Sequence, residues 1–203
     1  MKHLIIYAHP NETSLNHYIK TKVEQLLKDN KHEVRTRDLY ELQLQPVLTL
    51  DDMGGQRKGL IAADVKLEQD HISWADSITF IYPIWWTGMP AIMKGYIDRV
   101  FSYGFAYRYD QGIQKGLLKG KSAFIINTHG KSEEEYKQIG MDKALSLTSD
   151  KGVYTYCGLD VIAHFFIDQA DRAMPETINK WTFKIEKSYT KYMLTYDKTS
   201  SIT

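Results

Sequence analysis

Three short polar turns carry the residue types in this chain most able to do chemistry. The first, His9-Pro10-Asn11-Glu12-Thr13-Ser14-Leu15-Asn16, leads from an apolar stretch into a helical pattern and contains no glycine. Free backbone N–H groups at the start of that helix, with the helix dipole behind them, suit a phosphate, and His9, Thr13, Ser14 and Asn16 add side-chain donors. Read alone, Thr13 and Ser14 only cap the helix and His9 only ends a strand. The second turn, Pro83-Ile84-Trp85-Trp86-Thr87-Gly88-Met89-Pro90, moves the balance toward a ligand. Adjacent tryptophans on extended chain point to opposite sides, so at least one must line a crevice or an interface. A flat aromatic wall beside backbone N–H groups is what an isoalloxazine ring needs, because donors near its N1 and O2 stabilise the charge that develops on reduction. The third turn, Asn127-Thr128-His129-Gly130, follows another apolar run and is placed to close the same pocket, although by itself it reads as an ordinary polar turn.

Such turns must be held by a sheet. Apolar runs at 3–8, 77–83, 123–126 and 161–167, with an alternating segment at 32–38, read as strands. Helical spacing appears at 14–28, where Leu15, Ile19, Val23, Leu26 and Leu27 share a stripe, at 61–74, after Pro90, in a region leading to Cys157, and from about Pro175. Strands alternating with helices predict an α/β fold with a parallel sheet covered on both faces. Ligands of such sheets lie beyond the carboxyl ends of the strands, so the turns after residues 8, 82 and 126 are expected to converge. The passage 39–59 reads mostly as loop. The run from Phe101 to Tyr109 is too polar for a buried helix and reads as a partner surface or a substrate wall. No repeat or linker divides the chain, which is expected to form one domain over residues 1–196 with a polar tail at 197–203.

Several other readings fail. Gly116 to Ser122 imitates a phosphate-binding loop but has one residue too few between its glycines and precedes a strand. His32-Glu33 begins a zinc-protease pattern whose second histidine position holds Thr36. No G-x-G-x-x-G follows the first strand, which argues against a dinucleotide bound in the Rossmann manner. With 26 basic and 25 acidic residues the formal charge is +1, which removes the simplest case for nucleic acid or a polybasic membrane patch. Cys157 is the sole cysteine, so no internal disulfide forms and a reducing compartment is expected. The start shows no cleavage signature, and the longest apolar stretch, near Ile78 to Trp86, falls short of the roughly 17 to 25 residues of a membrane helix. The expectation is a cytoplasmic protein with no metal site and no membrane insertion.

His9-Pro10 with Thr13 to Asn16, Asp38-Leu39-Tyr40, Pro46-Val47-Leu48, Glu68-Gln69, Pro83 to Gly95, Asp98 to Phe101 and Phe105-Ala106-Tyr107 together resemble the flavodoxin-like NAD(P)H quinone reductases. This is the family of DT-diaphorase and its bacterial modulator-of-drug-activity and general-stress relatives. The likeness runs from about Lys2 to Gly130. It implies a flavodoxin-like three-layer sandwich with a five-stranded parallel sheet in the order 2-1-3-4-5, and a homodimeric flavoenzyme with its site at the subunit interface. The implied reaction takes hydride from NAD(P)H onto the flavin and passes two electrons to a quinone or a similar small acceptor, azo and nitro compounds included.

Carried over by position, the resemblance assigns His9, Thr13, Ser14, Leu15 and Asn16 to the flavin phosphates and Gln69 to the nucleotide side. Pro83, Ile84, Trp85, Trp86 and Thr87 would surround the ring with Asn127, Thr128, His129 and Gly130, while Tyr107 and Tyr109 would cover the partner subunit's substrate site. The long segment from Pro46 to Lys66 resembles the FAD-using members, with FMN as the alternative. Two departures stand out: His129 replaces the first of two glycines in the third turn, and no histidine follows Tyr136 where a proton relay would need one. Tyr136 and His129 are the catalytic candidates, each better suited to binding than to proton donation. An electron carrier like flavodoxin itself, usually strongly acidic, and a flavin-binding regulatory subunit of a transporter are the rivals.

Overall fold

A computed structural model describes residues 1–200, with side chains to Tyr196. The chain order is β1 (Lys2–Tyr7), α1 (Leu15–Asp29), β2 (Glu33–Asp38), α2 (Leu50–Gln56), α3 (Ala63–Trp74), β3 (Ser77–Pro83), α4 (Ala91–Val100), β4 (Tyr107–Asp110) and β5 (Ile113–Gly116). It continues with β6 (Ser122–Thr128), α5 (Glu133–Ile139), α6 (Met141–Ser146), a π-helix (Leu147–Thr155), β7 (Asp160–Ile167) and α7 (Pro175–Ser200). Five strands form one parallel sheet in the order β2-β1-β3-β6-β7, the arrangement expected of the flavodoxin-like fold.

The strand types follow from what covers them. All seven residues of β3 are buried, as a strand between two helical layers requires, whereas β2 at the sheet edge alternates and stays partly exposed. Ile19, Val23 and Leu27 of α1 and Ile185, Tyr189 and Met193 of α7 pack on one face against Ile5, Tyr7, Ile81, Phe124 and Ile126. On the other face Ile72 of α3, Met93, Tyr96, Ile97 and Val100 of α4, and Tyr154 of the π-helix meet Leu4, Ile6, Ile78, Phe80 and Ile125. Burying both faces makes the sheet rigid, and its carboxyl edge becomes a fixed frame for loops.

Four expectations are refined or changed. Residues 39–59 are not all loop: α2 forms there, closed at its start by a capping box in which Thr49 Oγ1 accepts from the Asp52 N–H and Asp52 accepts from the Thr49 N–H. Gly54 and Gly55 hide this helix from a periodicity search, and tertiary ion pairing of Asp52 with Arg99 holds it. The aromatic run ends in a hairpin, β4 with β5, turned by Gln111 and Gly112 at φ 50° and 80°. Gly116 belongs to that hairpin, where a Cβ would lie 2.3 Å from Gly158 N, so its glycine serves close packing. The helical region before Cys157 is three pieces, the last a π-helix. Finally, α7 continues to Ser200, past residue 197 where the tail was expected to begin; 201–203 lie outside the described residues.

Candidate functional site

Because β1, β3 and β6 lie side by side and parallel, the chain leaves all of them at one edge, and the three turns meet there. In the first turn, Asn11 Oδ1 accepts from the Thr13 N–H and hydroxyl, both at 2.8 Å, and His9 Nδ1 accepts from the Asn11 N–H at 3.1 Å. Ser14 caps α1, its hydroxyl oxygen accepting from the His17 N–H at 3.2 Å. The N–H groups of Leu15 and Asn16 have no intrahelical acceptor and face the dipole's positive end, the arrangement that holds an anion.

Asn16 is buried and joins the first turn to the third: its Nδ2 donates to Thr128 Oγ1 at 2.7 Å. Among the described residues its buried Oδ1 has no partner. A hydroxyl both donates and accepts, so the amide can turn over on Thr128 and present either its oxygen or its nitrogen to a ligand.

The second turn is tight. Trp85 and Gly88 exchange N–H···O bonds of 3.1 Å, and between them Trp86 and Thr87 sit at φ 51° and 57°. Neither is glycine, so each left-handed residue costs about 1–2 kcal/mol, strain of the kind stored at functional sites. Among the described residues the N–H groups of Trp86 and Thr87 have no backbone acceptor. Trp85 is partly exposed with its ring 5.9 Å from that of His9, and Trp86 is fully exposed. Neither tryptophan is a core residue.

In the third turn the His129 N–H donates to Ile167 O at 2.9 Å, and His129 O accepts from the Ala170 N–H at 3.0 Å. The His129 ring turns inward and stacks on Tyr136, centroids 4.5 Å apart and planes 11° off parallel. Burial lowers the His129 pKa, so its imidazole is neutral in the physiological range, and burial raises that of Tyr136, which keeps its proton. The pair offers a neutral aromatic wall. It supplies no imidazolium.

A cavity of about 340 Å³ lies between the turns, lined by His9, Ser14, Leu15, Asn16, Pro83, Ile84, Trp85, Thr128, His129 and Gly130, with Ala170 and Asp171 from the turn after β7. Thr87 and Asn127 line an adjoining cavity of about 370 Å³ that shares Ile84. Thr13 shapes the first turn without lining either. Tyr136 sits behind His129, on a larger cavity of about 770 Å³.

Gln69 lies elsewhere. It is buried beneath α3, with Nε2 donating to Val100 O at 3.1 Å and Ser102 Oγ at 3.0 Å, where it satisfies the end of α4 and faces no cavity of the three turns. Tyr107 and Tyr109 stand on the β4–β5 hairpin, Tyr109 OH 3.0 Å from Tyr156 OH, and do not line the cavity of their own chain. Ala170 and Asp171 are the lining residues that sequence reading missed. The rule that ligands sit beyond strand ends applies to the last strand too, and it points to Asp168–Arg172.

The donor set fits a flavin. Unpaired amides at the start of α1 match a phosphate, the unpartnered Asn16 amide oxygen matches a hydroxyl donor, and the open amides of Trp86 and Thr87 stand beside an aromatic wall.

The chain matches the family model described as flavodoxin-like fold over residues 1–187. It is 41% identical over 184 residues to a protein of Haemophilus influenzae described as an uncharacterized NAD(P)H oxidoreductase, covering 87% of this chain and 91% of that one. It is 30% identical to the human ribosyldihydronicotinamide dehydrogenase [quinone], covering 80% and 79% of the two chains. A crystal structure from Klebsiella pneumoniae, assigned as a quinone reductase, superposes with a TM-score of 0.86 at 30% identity over 95% of this chain and 85% of that one. The fold alone is shared with an NADH-azoreductase of Bacillus anthracis in complex with FMN, at a TM-score of 0.73 and 19% identity over 94% and 98% of the chains. The turns at the sheet edge and the matches across nearly the whole chain agree: this protein belongs to the flavodoxin-like NAD(P)H oxidoreductase and quinone reductase family.

Proposed function

We propose that the chain binds a flavin across its three turns and uses it to pass two electrons from NAD(P)H to a quinone or a similar small acceptor. The observation that carries this reading is the Asn16–Thr128 bond, which draws the free amides of α1 and the third turn around one cavity. A bound flavin would supply the hydride chemistry itself; the residues of this chain bind, orient and exclude water. Leu15, Asn16 and Ser14 hold the phosphate. His9 and Trp85 close the mouth, and the amides of Trp86 and Thr87 donate to the ring edge. The neutral Tyr136–His129 stack backs the third turn, with the Tyr136 hydroxyl keeping its proton for donation.

The cavity supports the part common to FMN and FAD. Segment 46–66, on which the FAD expectation rests, is pinned on the α4 side by Arg99 and adds nothing to the cavity of its own chain. In a homodimer it and the β4–β5 hairpin would be free to serve a partner subunit, and Val47, Leu50, Met53 and Leu60 leave an exposed apolar surface suited to that. Among the described residues no helix is long and apolar enough to cross a membrane.

The test is to release the chromophore from purified protein, identify it by mass, and measure steady-state rates with NADH and NADPH against quinone, azo and nitro acceptors, alongside the solution mass. His9→Ala and Trp86→Ala are expected to weaken flavin retention. Unchanged affinity in both variants refutes the pocket assignment.

A further inference from the structure

His164 lies on β7 and does not line the cavity of the three turns. Its side chain is 6% exposed and both ring nitrogens are engaged. Nδ1 stands 2.8 Å from Asp150 Oδ1, and Nε2 stands 2.7 Å from Asn127 Oδ1. Counting donors fixes the protons. Asn127 Nδ2 donates to Tyr82 O at 3.1 Å, and a carbonyl cannot donate, so the amide orientation is set and Oδ1 faces the histidine. Nε2 must therefore carry a proton. At 2.8 Å a second proton must lie between Nδ1 and the Asp150 carboxylate, which also accepts from Ser149 Oγ. The His164–Asp150 pair thus holds one proton more than a neutral imidazole beside a carboxylate.

A second, independent feature points to the same place. Asp150 belongs to the π-helix at Leu147–Thr155, a form that is rare and is frequently found at functional sites. The other end of the contact, Asn127, opens the third turn. Its neighbour Thr128 holds Asn16. A continuous line of contacts therefore runs from the π-helix through His164 and the third turn to the start of α1. The remaining charges on the cavity wall near the pair are Lys151 of the π-helix, Asp142 and Lys143 of α6, Glu133 and Lys137 of α5, Asp168 after β7 and Lys184 of α7. They sum to one positive charge, so Asp150 is the carboxylate that faces the ring and pairs with its second proton.

We propose that His164 is a positioning residue for the flavin site: doubly protonated and held by Asp150, it fixes the Asn127 amide and so sets the third turn against Asn16. The proposal rests on the flavin reading for its effect on binding, while its proton count stands apart from it. A charge-assisted hydrogen bond is about twice as strong as a neutral one and orients its acceptor. This is the role an outer carboxylate–histidine pair plays when it fixes the orientation of a group that touches ligand.

The experiment has two arms on the full chain. In flavin-stripped protein labelled with ¹⁵N-histidine at pH 7.5, the His164 ring signals, identified by their loss in His164→Gln, are expected to show both nitrogens protonated. One unprotonated nitrogen overturns the proposal. In FMN titrations followed by flavin fluorescence, His164→Ala is expected to bind about tenfold more weakly or worse, as loss of one charge-assisted bond predicts. His164→Gln, whose amide can still donate to Asn127, should stay within about threefold of the parent. Equal affinity in His164→Ala and the parent, or equal losses in both variants, overturns it. If His164→Ala does not fold, the ring-nitrogen spectrum and the glutamine variant decide. If the parent itself takes up no flavin, the flavin reading fails, and the spectrum still decides the proton count.

Discussion

Replacing Arg99 by methionine removes the charge around which segment 45–64 is organised. The guanidinium is 7% exposed and makes five contacts of 3.3 Å or less: Nε and Nη2 to the Asp52 carboxylate, Nη1 and Nη2 to Asp64, and Nη1 to Gln45 O. Asp64 is half exposed and water replaces its partner at small cost. Asp52, with a side chain 6% exposed, has no such recourse. Leaving one buried charge unpaired costs about 3–5 kcal/mol, which for a chain of this length is roughly 6–20 °C in Tm. Arg99→Met is expected to lose that much in urea unfolding followed by tryptophan fluorescence, and Arg99→Met/Asp52→Leu to recover most of it. The pH dependence has a defined sign. Arg99 holds Asp52 and Asp64 below the usual carboxylate range, so their stabilisation is present above the unfolded pKa near 4 and is lost as pH falls through the lower folded values. The acid limb should therefore be shallower in Arg99→Met. A single variant within 1 kcal/mol of the parent, or a double no better than the single, refutes the reasoning.

Asn16→Ala and Thr128→Val should each weaken flavin binding, and their double-mutant cycle should show a coupling of about 0.5–1.5 kcal/mol in the stability of the flavin-free protein; additive losses would mean that the two turns are not joined by that bond. Gly95→Ala would place a Cβ 2.2 Å from Pro46 O and 2.4 Å from Pro46 Cβ. It should destabilise by about 1–3 kcal/mol despite the better helix propensity of alanine, measured by thermal unfolding, and a stabilised variant would show that Pro46 moves freely.

What was legible in the sequence was whatever a local pattern determines. The strands at 3–8, 77–83 and 123–126 announce themselves because burial on both faces demands continuous apolar residues, and the three turns follow from where those strands stop. What a local pattern does not place are the residues held by long-range packing. Gln69 looks like a binding residue by type and neighbourhood, but the carbonyl of Val100, 31 positions away, claims its amide. The α2 helix carries a readable capping box at Thr49 and Asp52, yet its glycines suppress the periodicity, and an arginine 47 positions on holds it. His164 sits in an apolar strand where it resembles any core histidine. Only the fold brings Asp150 and Asn127 to its two sides.

The third turn differs from the first in how it is held, and the difference predicts how each responds to ligand. Asn127 is fixed by Tyr82 and His164, Thr128 by Asn16, His129 by Ile167 and Ala170, and Gly130 O accepts from Arg172 at 2.8 Å, so each successive residue answers to another element. The first turn, 9–13, is bonded mainly to itself through Asn11 and is largely exposed. A turn already held in the binding geometry adds little ordering cost when ligand arrives, whereas a turn held by local bonds must give up motion. Hydrogen exchange should therefore show amides 127–130 protected to nearly the same degree with and without FMN, while amides 11–16 gain protection when FMN is added. Large gains at 127–130 would show that the network around Asn127 does not preorganise the site, and would weaken the case for His164 as the residue that sets it.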